Sequence, residues 1–184
     1  MSDFVSFEDI HALVDEFKKV PAEHGLAVQP GSELDVACDA TAALLLKHWD
    51  ELLRDPHEDI RNDFRNALAL AAFTRKIVKL RNHPDFDQLL PHVRTMVAGG
   101  GLAFNRWSST LDKVTPKTFE LLIALAAMDK GRNVMVDDPN RSKGDNPDVI
   151  ATIDGIRWGF ACKLLNTFDD KSPPKPKTVF NNLI

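Results

Sequence analysis

The sequence predicts an α+β protein: an all-helical region over residues 1–115, then a smaller segment of helix and strands over 116–184. Three observations predict it. Apolar residues recur at three- and four-residue spacing through the first 115 positions, as one face of a helix requires. Thr115-Pro116 is a second helix start, with a capping hydroxyl ahead of a proline that needs no amide donor. Beyond it, Asp154-Gly155 separates two runs whose apolar residues alternate, which is a hairpin signal.

The elements follow in order. Ser6 caps a helix over 6–19, with Asp9 three residues on and Phe7, Ile10, Leu13, Val14 and Phe17 inward; Pro21 and Gly25 are expected to end it. Ser32 caps a longer helix to about Arg54, with Leu34, Ala37, Cys38, Thr41, Ala42, Leu45, Trp49 and Leu52 as its stripe. Asp55-Pro56 breaks it. A third helix over 57–81 turns Ile60, Phe64, Ala67, Leu68, Ala71 and Val78 inward and crowds Arg75, Lys76, Lys79 and Arg81 at its end. Cations suit a helix C-terminus, so dipole pairing is the expected use of that cluster. A short helix over about 85–98, a flexible Gly99-Gly100-Gly101 joint and a helix over 102–114 complete the region.

From Thr115-Pro116 a helix runs to Lys130 and Gly131 stops it; Phe119, Leu122, Ile123, Ala126 and Ala127 are expected to pack. Asn133–Val136 reads as a strand and 137–146 as a polar loop. If Asp154-Gly155 makes a two-residue turn, Ile153 faces Ile156, Ala151 faces Trp158, Val149 faces Phe160 and Asp148 faces Ala161. One face is then apolar, and Trp158 and Phe160 are expected in the core. The other face gathers Asp148, Ala161 and Lys163. Residues 167–177 are a proline-rich loop, and 178–184 begin a further helix.

Composition narrows the functional classes. Hydrophobic residues make up 43% of 184, enough for a core, and no run of 18 apolar residues suggests a membrane span. The acidic, amphipathic N-terminus is unlike a signal peptide. Cys38 and Cys162 have no metal-ligand spacing and are expected as free thiols in a cytoplasmic protein. The six histidines are scattered without an HExxH pair, so a zinc site is not expected, and surface or capping roles are. Net charge is −4, which gives no overall nucleic-acid footprint; residues 116–184 nevertheless carry 10 basic against 9 acidic residues, compared with 13 against 18 before them.

Pro147-Asp148, the hairpin and the strand ending in Lys163 resemble the PD-(D/E)XK nuclease superfamily over roughly 116–184. The resemblance implies a restriction-endonuclease-like α-β-β-β-α core, here lacking the end of its second helix and its fourth strand. It implies Mg²⁺ (or Mn²⁺) and DNA phosphodiester hydrolysis, with Asp148 as metal ligand and Lys163 orienting water or stabilising phosphorane charge. The second acid of the motif is replaced by Ala161. A substitute acid is sought first at Glu120, on the preceding helix, then at Asp145, then at Asp137 and Asp138. Arg132, Arg141, Lys143, Lys171, Lys175 and Lys177 lie in loops at the same end and are candidate phosphate contacts. The resemblance leaves two functional expectations: a metal-dependent deoxyribonuclease with a degenerate site, or an inactive nuclease-fold scaffold binding DNA or a protein, with a homodimer or partner chain completing the sheet. A third is a helical interaction protein whose hairpin is structural.

Overall fold

A computed structural model describes residues 7–46, 61–99, 114–140 and 147–162. Among them are five α-helices and a three-stranded antiparallel sheet: α1 (Phe7–Glu23), α2 (Glu33–Leu46), α3 (Arg61–Leu80), a 3₁₀ turn (Phe86–Leu89), α4 (Leu90–Gly99), α5 (Thr115–Lys130), β1 (Arg132–Val136), β2 (Val149–Ile153) and β3 (Ile156–Phe160). The helix expected over 102–114, the triple-glycine joint beyond Gly99 and the segment 163–184 lie outside the described residues.

Ile10, Val14, Phe17 and Val20 are the buried face of α1. The helix continues through Pro21 rather than ending there. Its stop is a glycine cap: Gly25 sits at φ +69°, its N–H donates to the Ala22 carbonyl, and Leu26 N–H donates to that of Pro21. Those paired bonds satisfy the last carbonyls, and glycine reaches the left-handed region without a Cβ penalty. Ser32 does cap α2, its Oγ accepting the Asp35 N–H at 3.2 Å, while Asp35 Oδ2 accepts the Gly31 N–H at 2.9 Å. Leu34, Ala37, Cys38 and Thr41 are buried in the expected phase, and the Thr41 hydroxyl is satisfied by the Ala37 carbonyl.

Among the described side chains of α3 the buried ones are Ala67, Leu70, Ala71, Phe73, Thr74, Ile77 and Leu80, whereas Leu68 is exposed. α1, α2 and α5 all pack on this helix. Its buried arc centres on Leu70 and Ile77, and Leu68 falls on the opposite side at 3.6 residues per turn. Phe73 meets Phe17 edge to face, centroids 6.5 Å apart. The basic cluster at the end of α3 reaches across helices: Arg81 pairs with Glu16 and Lys79 with Asp129. Arg81, followed by Lys19, holds the Glu16 carboxyl below its usual range, and Lys79 does the same for Asp129.

α5 packs against α3 and α4 on one side and β1 and β2 on the other. Thr118, Glu120, Leu121, Ala124, Leu125, Ala127 and Met128 are buried; of the five residues expected inward, only Ala127 is, the others being half-buried. A helix that is apolar all round and covered from two sides has no single stripe to phase. It begins at Thr115, with no side-chain cap bond at Val114. Gly131 ends it in an extended conformation, φ −135°, and β2 passes so close that a Cβ there would lie 2.6 Å from the Thr152 carbonyl oxygen and 2.9 Å from Ile153 Cγ1.

The sheet order is β1-β2-β3. Ile153↔Ile156, Ala151↔Trp158 and Val149↔Phe160 pair as expected, around a turn with φ +51° at Asp154 and +78° at Gly155. β1 joins through a register shift between Arg132 and Met135, with Asn133 at φ +55°. Val134, Val149 and Ala151 are buried under α5. The apolar face does not stay covered, however. Ile156 is 58% and Trp158 50% exposed, contrary to the expected core position of Trp158. β3 is an edge strand of the described sheet, on the far side of β2 from β1, and α5 rests on β1 and β2.

The core is continuous from Ile10 on α1 to Ala151 on β2. None of the described helices is long and apolar enough to cross a membrane.

Candidate functional site: a buried ion cluster beside the hairpin end

α5 carries Lys117 and Glu120 three residues apart, so both side chains lie on one side of its first turns. Lys117 Nζ donates to both Glu120 oxygens, at 2.7 Å to Oε1 and 2.9 Å to Oε2. α4 supplies His92, whose Nε2 lies 3.0 Å from Glu120 Oε2. A carboxylate at that distance selects the tautomer with hydrogen on Nε2. The side chains of His92 and Glu120 are 1% and 4% exposed, and that of Lys117 is 17% exposed. The second imidazole nitrogen, Nδ1, is buried and has no hydrogen-bond partner among the described residues.

Asp148 stands just before β2 and Cys162 just after β3. Continuing the register places them at the same end of the hairpin. The Cys162 N–H donates to Asp148 Oδ2 at 2.6 Å, and the Asp148 carbonyl accepts the Asp137 N–H at 2.9 Å. Asp148 thus ties the ends of all three strands. Burial pushes the Cys162 thiol up to about 12, the Asp148 and Glu120 charges push it the same way, and Lys117 opposes them. The charges of the helix acid and of the hairpin acid thus act on one thiol in the same direction.

The other expected site residues fall differently. Asp137 and Asp138 are loop residues: Asp137 Oδ1 accepts the Asp138 N–H, and Asp138 Oδ1 accepts that of Asn140. Lys163, Asp145, Arg141, Lys143, Lys171, Lys175 and Lys177 lie outside the described residues. Arg132 is exposed on β1. Sequence reasoning missed His92, placed among the surface or capping histidines. A signal was present: Leu89, His92, Val93 and Met96 share helical spacing, and all four are buried.

The fit to a divalent cation is poor. Mg²⁺ asks for carboxylate oxygens and room for several waters. Both Glu120 oxygens face an ammonium, one Asp148 oxygen is taken by a backbone donor, and Ala161 offers no side-chain donor. Among the described residues no group of three His, Cys, Asp or Glu side chains is placed to hold a metal ion. What the arrangement does is neutralise a buried carboxylate and join α4 to α5, while Asp148 separately ties the strand ends together.

Comparison with protein families, curated proteins and solved structures finds no match. The class defined by the described residues is α+β, a helical layer over a small antiparallel sheet.

Proposed function

We propose that this chain is a nuclease-like scaffold whose hairpin binds a partner in place of cutting DNA. The order α5-β1-β2-β3, with Asp148 leading into β2 and Glu120 on the preceding helix, supports the likeness to the PD-(D/E)XK superfamily. The observation that carries the non-catalytic reading is the engagement of both acids: Glu120 with Lys117 and His92, Asp148 with the Cys162 amide, and no acid at Ala161. Ile156 and Trp158, apolar and exposed on the outer strand, favour a protein partner over a polyanion. The reading with Mg²⁺-dependent DNA hydrolysis draws on one observation, that Asp148 and Glu120 both bear on Cys162, next in sequence to Lys163.

Supercoiled plasmid incubated with the chain and Mg²⁺ or Mn²⁺ separates the two. The scaffold reading expects no nicking above that of Asp148→Ala, and none gained in Ala161→Glu. Metal-dependent nicking by the unaltered chain that vanishes in Asp148→Ala would overturn it.

A further inference from the structure

We propose that the free edge of β3 takes an extended acidic peptide as an added strand, with apolar side chains on one face and a carboxylate beside Arg157 on the other. The inference rests on the partner-binding reading above and names the chemistry of that partner.

The two edges of the described sheet differ. β1 is blunted: its register shifts between Arg132 and Met135, and the Val134 N–H donates to Asp85 Oδ2 at 3.1 Å. β3 has neither device, and it holds no proline or lysine between Ile156 and Phe160. Ile153 and Ile156 flank a two-residue turn, which makes them a hydrogen-bonded pair. Alternation then directs the N–H and C=O of Ile156, Trp158 and Phe160 to β2 and those of Arg157 and Gly159 outward. No described group bonds the outward set.

A strand laid along this edge meets different chemistry on its two faces. On one face its side chains cover Ile156 and Trp158, the exposed apolar strip. On the other they meet Arg157, which is exposed and has no carboxylate within ion-pair distance among the described residues. Gly159 adds no side chain there, and Pro147 Cγ lies 2.8 Å from where its Cβ would stand. An acid opposite Arg157 completes the charge, and apolar neighbours on either side of it complete the strip. A second copy of this chain is the poorer occupant. β3 contains no acid, so pairing it with itself leaves both guanidiniums unmatched. A polyanion would leave the apolar strip uncovered.

The test is amide exchange at Arg157 and Gly159 of the full chain, followed by NMR with two end-capped peptides, Ser-Val-Glu-Val-Glu-Val-Ser and Ser-Val-Lys-Val-Lys-Val-Ser. The Glu peptide is expected to slow both amides at least about tenfold at saturation. Arg157→Glu is expected to weaken the Glu peptide about threefold or more and to strengthen the Lys peptide, as a cross-strand charge pair requires. Protection of both amides before any peptide is added overturns the proposal, because another segment or a second copy then holds the edge. Equal binding of the two peptides by the wild type overturns it, as does equal protection by a single-stranded oligonucleotide. If Arg157→Glu does not fold, the two peptides on the wild type decide. Plasmid nicking bears on the scaffold reading alone. A chain that neither nicks nor binds the Glu peptide keeps the scaffold and loses this partner, and one that does both keeps the edge site and loses the scaffold.

Discussion

Cys162 is the residue at which the hairpin acid and the helix acid can be read together. Its thiol is pushed up to about 12 by burial, Asp148 and Glu120. The thiolate is the nucleophile, so reactivity follows the fraction ionised. Against an ordinary thiol near 8.5, that fraction at pH 8 falls by roughly three orders of magnitude. Iodoacetamide labelling of the Cys162 peptide, read by mass spectrometry, is therefore expected at least about a hundredfold slower in the folded chain than in urea. Asp148→Asn should speed it, since one raising charge is gone. Equal rates folded and unfolded would mean that the thiol is not held in this environment. A thiol raised on folding adds stability that is intact below its unfolded value of 9.0 and is lost as pH rises toward 12. Glu120 illustrates how far residue-level reading reaches. Its selection from sequence rested on its place on the helix before the first strand. Its actual partners, His92 from another helix and Lys117 one turn away, depend on how α4 and α5 pack.

At the scale of elements, the junction between α5 and the sheet is the tightest point for which a substitution can be argued. Gly131 and Gly155 make a matched pair. A Cβ at Gly131 meets the Thr152 and Ala127 carbonyl oxygens at 2.6 and 3.0 Å, backbone atoms with little freedom to withdraw. Gly155 has open space around it but sits at φ +78°. Gly131→Ala is expected to cost about 1–3 kcal/mol by overpacking. Gly155→Ala should cost about 1 kcal/mol through left-handed strain alone. Urea unfolding at constant slope compares them, and a smaller loss at Gly131 would show that β2 gives way. The hairpin itself was legible in the sequence, since an Asp-Gly two-residue turn fixes one register for the strands on either side. The inward face of α5 was not, because a helix covered by helices on one side and strands on the other carries apolar residues around its whole circumference. Pro21 shows a similar limit. Pro21 and Gly25 were both expected to stop α1, and of the two only the glycine cap sets the end.

At the scale of the whole molecule, one core runs from α1 to β2 and leaves β3 at its margin. Trp158 shares a sheet face with Val149 and Ala151, yet it is half exposed while they are fully buried. Trp158→Ser should therefore change folding stability by no more than about 1 kcal/mol, where truncation of a core aromatic such as Phe73 costs about 3–5 kcal/mol. Thermal melting of the two variants makes the comparison. A core-sized loss at Trp158 would mean that β3 is packed, and it would remove the exposed apolar strip from the binding proposal. Alternation, caps and turn residues are local, set by neighbours within a few positions, so the helices α1 to α5, the Ser32 cap and the register of the β2–β3 hairpin were open to sequence reading. Which face of α5 is deepest, that Leu68 and Trp158 lie outside the core, and that His92 closes on Glu120 depend on segments dozens of residues apart. Local periodicity says which side of an element is apolar. Only the packing of α3, α4, α5 and the sheet decides how much of that side is covered, and which buried charge meets its partner.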